Sequence, residues 1–152
     1  MSVEIANESE ISVDTERVLE LAYFVRGALK LHELVDLGIT FVDEGPMTDL
    51  HIKWMDEPGP TDVLSFPIDE LRPGTDRNSS PEGILGDIVV CPQVATKQAV
   101  TAGHETINEI LLLVTHGMLH LVGFDHAETD EEKEMFDLQK SLLADFYKSE
   151  TS

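Results

Sequence analysis

Apolar and polar positions recur along this chain with periods that predict nine elements. Val3-Glu4-Ile5-Ala6-Asn7 alternates weakly and reads as a short first strand. Ser12 and Asp14 can cap a helix beginning near Thr15, and Val18, Leu19, Ala22, Val25 and Leu29, with Tyr23 and Phe24, give it an apolar face. Residues 37–42 are apolar and β-branched and predict a second strand, closed by Asp43-Glu44-Gly45-Pro46. A short helix is expected over 47–55, with Pro46 near its first turn and Trp54 packed inward. Residues 61–66 and 86–91 are the third and fourth strands. Pro92 opens a third helix that stops at Gly103. Ile107, Ile110, Leu111, Leu113 and Val114 make the next helix apolar nearly all round, so it should lie buried and central. Thr129-Asp130-Glu131-Glu132 reads as a capping box for a last helix running to about Tyr147.

The order β-α-β-α-β-β-α-α-α predicts an α/β (α+β) fold, with a mixed sheet of about four strands covered by helices. With no repeat and no composition break, the whole of 1–152 is expected to be a single compact domain. Residues 72–83 hold two prolines, two glycines and Asn78-Ser79-Ser80 between the last two strands, together with Arg72 and Arg77. This stretch reads first as a mobile linker, and as a lid over the neighbouring cleft in the sharper alternative.

The buried helix ends in His116-Gly117-Met118-Leu119-His120-Leu121-Val122-Gly123-Phe124-Asp125-His126, which holds three of the six histidines. Positions i and i+4 share a helix face, so His116 and His120 can point at one ion. Gly123 can take the left-handed conformation that ends a helix and returns His126 to the same place. Three imidazoles leave a tetrahedral position for water, the layout of a catalytic zinc site, where the pKa of that water falls toward ~7. The spacing is that of the metalloprotease pattern H-E-x-x-H-x-x-G-x-x-H, but Gly117 replaces the glutamate that acts there as general base. That argues against ordinary peptide hydrolysis, while a missing side chain beside the ion leaves room for a bulkier substrate. Two solvent-facing histidines on an amphipathic helix are the plain alternative, and the third histidine with its glycine favours the metal.

Other candidates have two readings each. Asp125 can orient a ligand imidazole or satisfy donors of its own turn. Asp62 and Asp87 are possible water-activating carboxylates or simple strand-end caps. Ser65 and Phe66 lie on a strand expected to face the cleft, where Phe66 either stacks on a base or fills the core. His51 and His104 read as ordinary surface histidines, and Cys91 as a small buried hydrophobe rather than a nucleophile.

The segment from His116 to His126 resembles the H-G-x-L-H-L-x-G-[YF]-D-H signature of the YbeY family, bacterial metal-dependent endoribonucleases of ribosomal RNA maturation. Pro60-Thr61-Asp62-Val63-Leu64-Ser65-Phe66-Pro67 resembles that family's P-T-[DN]-V-L-S-F-P block, and Gly86-Asp87-Ile88-Val89-Val90-Cys91 its G-D-I-[VF]-[IL] strand. Order and spacing fit from about Asn7 to the acidic C-terminal helix. The resemblance implies a zincin-like layout with a central ligand helix and one Zn2+ on His116, His120 and His126. It also implies single-strand-specific endoribonuclease activity in 16S rRNA 3′-end maturation and ribosome quality control. Ribosomal RNA and the ribosome or a ribosomal protein would be the partners, with neither DNA nor membrane expected. One departure stands out: Met55 occupies, by spacing, the place of a family arginine that holds the RNA phosphate. Lys53, two residues earlier, can substitute only as a point charge.

Charge complicates that reading. Thirty acidic residues against ten basic ones give a net −20, which predicts repulsion from any polyanion. The acids are unevenly spread: residues 128–152 hold eight acids and three bases, whereas 87–127 hold four acids and one lysine. A bound dication adds positive charge at the site itself. Weak affinity for free RNA and delivery by the ribosome are therefore expected. A single cysteine and the lack of a secretory signal or long apolar run fit a cytoplasmic protein. Two other readings stay open: a metallopeptidase-like hydrolase with a base from outside the motif, and a metal-containing ribosome-assembly factor without strong nuclease activity.

Overall fold

The computed structural model describes residues 1–151. Its elements are β1 (Ser2–Asn7), α1 (Thr15–Ala28), β2 (Asp36–Phe41), α2 (Glu44–Met55), β3 (Val63–Pro67), β4 (Ile84–Val90), α3 (Pro92–Ala102), α4 (Thr106–Leu121) and α5 (Thr129–Glu150). That is the order the periodicity predicts. The sheet runs β1-β2-β4-β3, with β1, β2 and β4 parallel and β3 antiparallel at the edge. It is a mixed four-stranded sheet in a compact α+β arrangement.

The pleat sends alternate residues to opposite faces, and the two faces differ sharply. Leu37, Ile39 and Phe41 of β2 and Ile88 and Val90 of β4 share one buried cluster with Val18, Leu21 and Val25 of α1 and Leu111, Val114, Met118 and Leu121 of α4. On the other face a smaller cluster of Met47, Leu64, Val89 and Cys91 joins α2 to the β3–β4 half of the sheet. The rest of that face carries Glu4, Asp36, Gly38 and Asp87 around an open depression. Helix α4 is buried at nearly every position from Glu109 to Leu121, as its all-round apolar pattern requires.

Details of the predicted elements shift. Asp14 alone caps α1, accepting from the Arg17 amide at 3.2 Å, and Ser12 takes no part. Helix α2 starts at Glu44, three residues ahead of the expected Met47, because a proline inside the first turn lacks only an N–H that has no intrahelical acceptor. Trp54 is not packed inward: it is 57% exposed and meets Phe66 edge-on at 5.9 Å. Only Met47 of α2 is buried, so the helix is anchored at one end and its far end lies on the surface. Thr129 is the first helical residue of α5 and not its cap, so no capping box forms. That helix continues past Tyr147 to Glu150, where Arg17 grips the carboxylate with two bonds of 2.8 Å.

Residues 72–83 line no part of the cavity beside His116, His120 and His126. Gly74 N–H donates to Leu29 O at 2.9 Å and Ser80 N–H to Lys30 O at 3.0 Å, tying the loop to the C-terminal end of α1.

Candidate metal centre

Helix α4 presents His116 and His120 one turn apart, at the end that emerges from the core. The chain leaves the helix at Val122, and Gly123 takes φ 98°. Phe124 N–H returns to Leu119 O at 3.0 Å, closing the helix end and turning the backbone toward His126. Imidazole nitrogens of His116, His120 and His126 then lie within 4.8 Å of one another. The rings of His116 and His120 are 4.6 Å apart and those of His120 and His126 5.3 Å.

Two details show that this cluster suits a cation. First, His116 Nε2 and His120 Nε2 approach to 3.0 Å. Two neutral nitrogens so close repel unless a proton or a cation lies between them, and ligands of one tetrahedral zinc sit about 3.3 Å apart at ordinary Zn–N distances. Second, His116 Nδ1 lies 2.9 Å from Oε1 of Gln139 on α5. An amide oxygen only accepts, so Nδ1 carries the proton and the Nε2 lone pair is free to ligate. Desolvation lowers the pKa of both His116 and His120, and the neighbouring imidazoles push the same way. Desolvation outweighs the raising effect of the Gln139 bond and Asp62 on His116, so the shift favours the neutral form that metal ligation requires. The residues fit a zinc ion.

Gln139 is buried and Phe136 stacks on His116 at 5.8 Å between centroids and 21° between planes. Neither was expected as part of the site. The available signal was a polar residue inside the buried stripe Met135, Leu142, Leu143 and Phe146 of α5.

Gly117 does not open room for substrate. A Cβ there would stand 3.0 Å from Ile88 Cγ2 and 3.1 Å from Ser65 Oγ, so the missing side chain is filled by the sheet. Ser65 Oγ donates to Gly117 O at 3.3 Å, fixing β3 against the ligand helix.

The cleft beside the histidines is a cavity of about 520 Å³, lined by His51, Met55, Glu57, Thr61, Asp62, Ser65, Pro67 and the three histidines, among others. Asp62 faces it. Its Oδ1 accepts from Val63 N–H at 2.7 Å and its Oδ2 from Gln98 Nε2 at 3.1 Å, and its charge favours the protonated form of His116. His51, read from sequence as a surface residue, sits on the cleft wall between Gly59 O at 3.0 Å and Glu57 Oε2 at 3.2 Å. Met55 lines the same cavity.

Other candidates lie elsewhere. Asp125 Oδ1 accepts from the backbone N–H of its neighbour His126 at 2.7 Å, so it shapes the turn that delivers the third imidazole. Asp87 projects from the opposite side of the sheet beside Gly38, away from the cleft. Phe66 also faces that side and packs with the α2 cluster rather than the cleft. Lys53 is exposed, with Nζ 5.2 Å from the Trp54 ring centre. His104 pairs with Glu109 at 2.7 Å, and Cys91 is buried, where desolvation pushes its thiol pKa up.

A three-histidine cluster at the end of a buried helix, open to a cleft, could hold one metal ion, the layout of a metal-dependent hydrolase. The family profile described as Endoribonuclease YbeY matches residues 3–147. The chain belongs to that family. It is 61% identical over 150 residues to the endoribonuclease YbeY of Clavibacter sepedonicus, covering 99% of this chain and 98% of that one. The Thermobifida fusca endoribonuclease YbeY is 58% identical over 149 residues, with 98% and 96% covered. A Thermotoga maritima protein of known solution structure superposes with a TM-score of 0.65 at 26% identity, covering 97% of this chain and 90% of that chain.

Proposed function

We propose that this protein is a zinc-dependent, single-strand-specific endoribonuclease acting in the cytoplasm on the 3′ end of 16S ribosomal RNA, in association with the ribosome. The observation that carries the proposal is the approach of two imidazole Nε2 atoms to 3.0 Å, with a third imidazole beside them, in a chain of the YbeY family. His116, His120 and His126 are the ligands in this reading, and the whole of 1–152 is one catalytic domain with a zincin-like layout. When bound, zinc supplies a Lewis acid and an activated water near neutral pH.

The chain's own residues supply the rest. Asp62 faces the cleft; its Oδ1 accepts from Val63 N–H and Thr61 Oγ1 and its Oδ2 from Gln98 alone, which leaves Oδ2 a lone pair to take a proton from an attacking water. Asp125 orients the backbone of His126. Lys53, exposed on α2 against the Trp54 ring, does not line the cleft and would add only long-range charge. With Met55 in the cleft, no guanidinium among the described residues lines its wall, so phosphate charge would be met chiefly by the metal.

The net charge of −20 and Met55 favour a second reading, a metal-containing ribosome-assembly factor without strong nuclease activity. Single-stranded RNA incubated with zinc-loaded protein, beside an equally pure His120→Ala preparation, separates the two. Cleavage by the first alone is expected. RNA left intact both free and within the ribosome, with zinc confirmed bound, overturns the nuclease reading and supports the assembly role.

A further inference from the structure

Ten basic residues in a chain with thirty acidic ones should each find a carboxylate, and several do. Arg17, Lys30, Lys97 and Lys133 all make ion pairs. Three of the four arginines do not, among the described residues; two of them, Arg26 and Arg77, line one concavity, while Arg72 lines another beside Asp125, Glu131 and Glu134. The Arg72 guanidinium lies against Gly123, the turn between the second and third metal-site histidines. Five residues on, a distance of at most about 18 Å for extended chain, Arg77 joins Arg26 and Lys30 in lining a concavity of about 470 Å³. Thr75, Asn78 and Ser79 complete its polar wall.

From this arrangement we propose that the concavity at the C-terminal end of α1 is a phosphate subsite, which holds the backbone of single-stranded RNA while another part of the strand occupies the metal cleft. The inference rests on the nuclease reading for the identity of the polyanion. Guanidinium groups suit it because their donors match phosphate oxygens two at a time. The loop is already in shape: Thr75 N–H donates to Asn78 O at 2.7 Å and Asn78 N–H to Thr75 Oγ1 at 3.2 Å, so little ordering remains on binding.

Opposing effects are present and smaller. Glu33 and Asp76 also line the concavity, and Asp76 already engages Lys30 at 3.1 Å, leaving a local formal charge of +1 from three cations and two acids. Arg26 spends one nitrogen on Leu31 O at 3.1 Å, where it also complements the negative end of the helix. Arg77 has no such duty and is exposed, so it is the strongest ligand for an incoming phosphate. In a molecule of net charge −20 this is a region where a polyanion meets net attraction.

The test is fluorescence anisotropy of a labelled single-stranded RNA against salt concentration, with zinc-loaded wild type, Arg77→Gln, Lys30→Gln and, as a control on α5, Lys140→Gln. Each lost phosphate contact should lower the slope of log affinity against log salt by about 0.7. That fall is expected for Arg77→Gln, with a smaller one for the paired Lys30→Gln and none for Lys140→Gln. An unchanged slope in Arg77→Gln, or no RNA binding by wild type, overturns the subsite. A reduced slope in a protein that cuts neither free RNA nor RNA within the ribosome would sink the nuclease reading and keep the subsite.

Discussion

The two faces of the sheet are built from the same strands and do opposite work. Ser65 and Ile88 point to the face covered by α4, where they fit against Gly117 and hold the ligand helix in place. Their neighbours Phe66 and Asp87, equally part of the motif-like segments 60–67 and 86–91, point to the other face. One strand position, a shift of one in a period of two, separates a residue that supports the metal centre from one that cannot reach it. Membership of a sequence block is therefore a poor guide to membership of the site, and the pleat decides.

Substitutions sharpen this contrast. The largest expected effect is that of His120→Ala, which removes a ligand and should abolish stoichiometric zinc binding and RNA cleavage together. Gln139→Leu comes next. It leaves the ligands in place but frees the His116 ring, and zinc affinity measured by competition with a chelating dye should fall about 10–100-fold. An effect below threefold would show that Gln139 is only filling space.

Gly117→Ala tests the covered face. Overpacking against Ile88 and Ser65 costs about 1–3 kcal/mol, which exceeds the ~1 kcal/mol that alanine gains in helix propensity. Thermal unfolding should show a net loss of about 1 kcal/mol. A gain in stability would mean that the α4–sheet contact is looser than the 3.0 Å spacing indicates. The smallest effect belongs to the open face: Asp87→Asn should change zinc affinity and cleavage by less than twofold. A tenfold loss there would break the division between the faces.

Much of this was legible from the chain, for identifiable reasons. The three-histidine spacing and Gly123 are local, and local geometry on a helix follows from sequence distance alone. Strand and helix order followed from hydrophobic periodicity. What escaped depended on contacts far apart in sequence. Gln139 is 23 residues from His116, and only the packing of α5 on α4 brings them together. The loop 72–83 looked free because its partners, Leu29 and Lys30, belong to another element. Trp54 looked like a core residue by type, yet α2 needs only Met47 to anchor it, so the indole is left at the surface. Asp62 and Asp87 were indistinguishable as carboxylates beside strands, since telling them apart requires the register of β3 on β4.

The central claim is that one metal ion is held by His116, His120 and His126. It is tested most directly by titrating the metal-free protein with zinc while following the imidazole nitrogens by 15N NMR. The account predicts that one equivalent moves the signals of these three histidines, with His116 keeping its proton on Nδ1, and leaves His32 and His104 unmoved. Saturation that shifts His104, or that leaves His126 where it was, would contradict it.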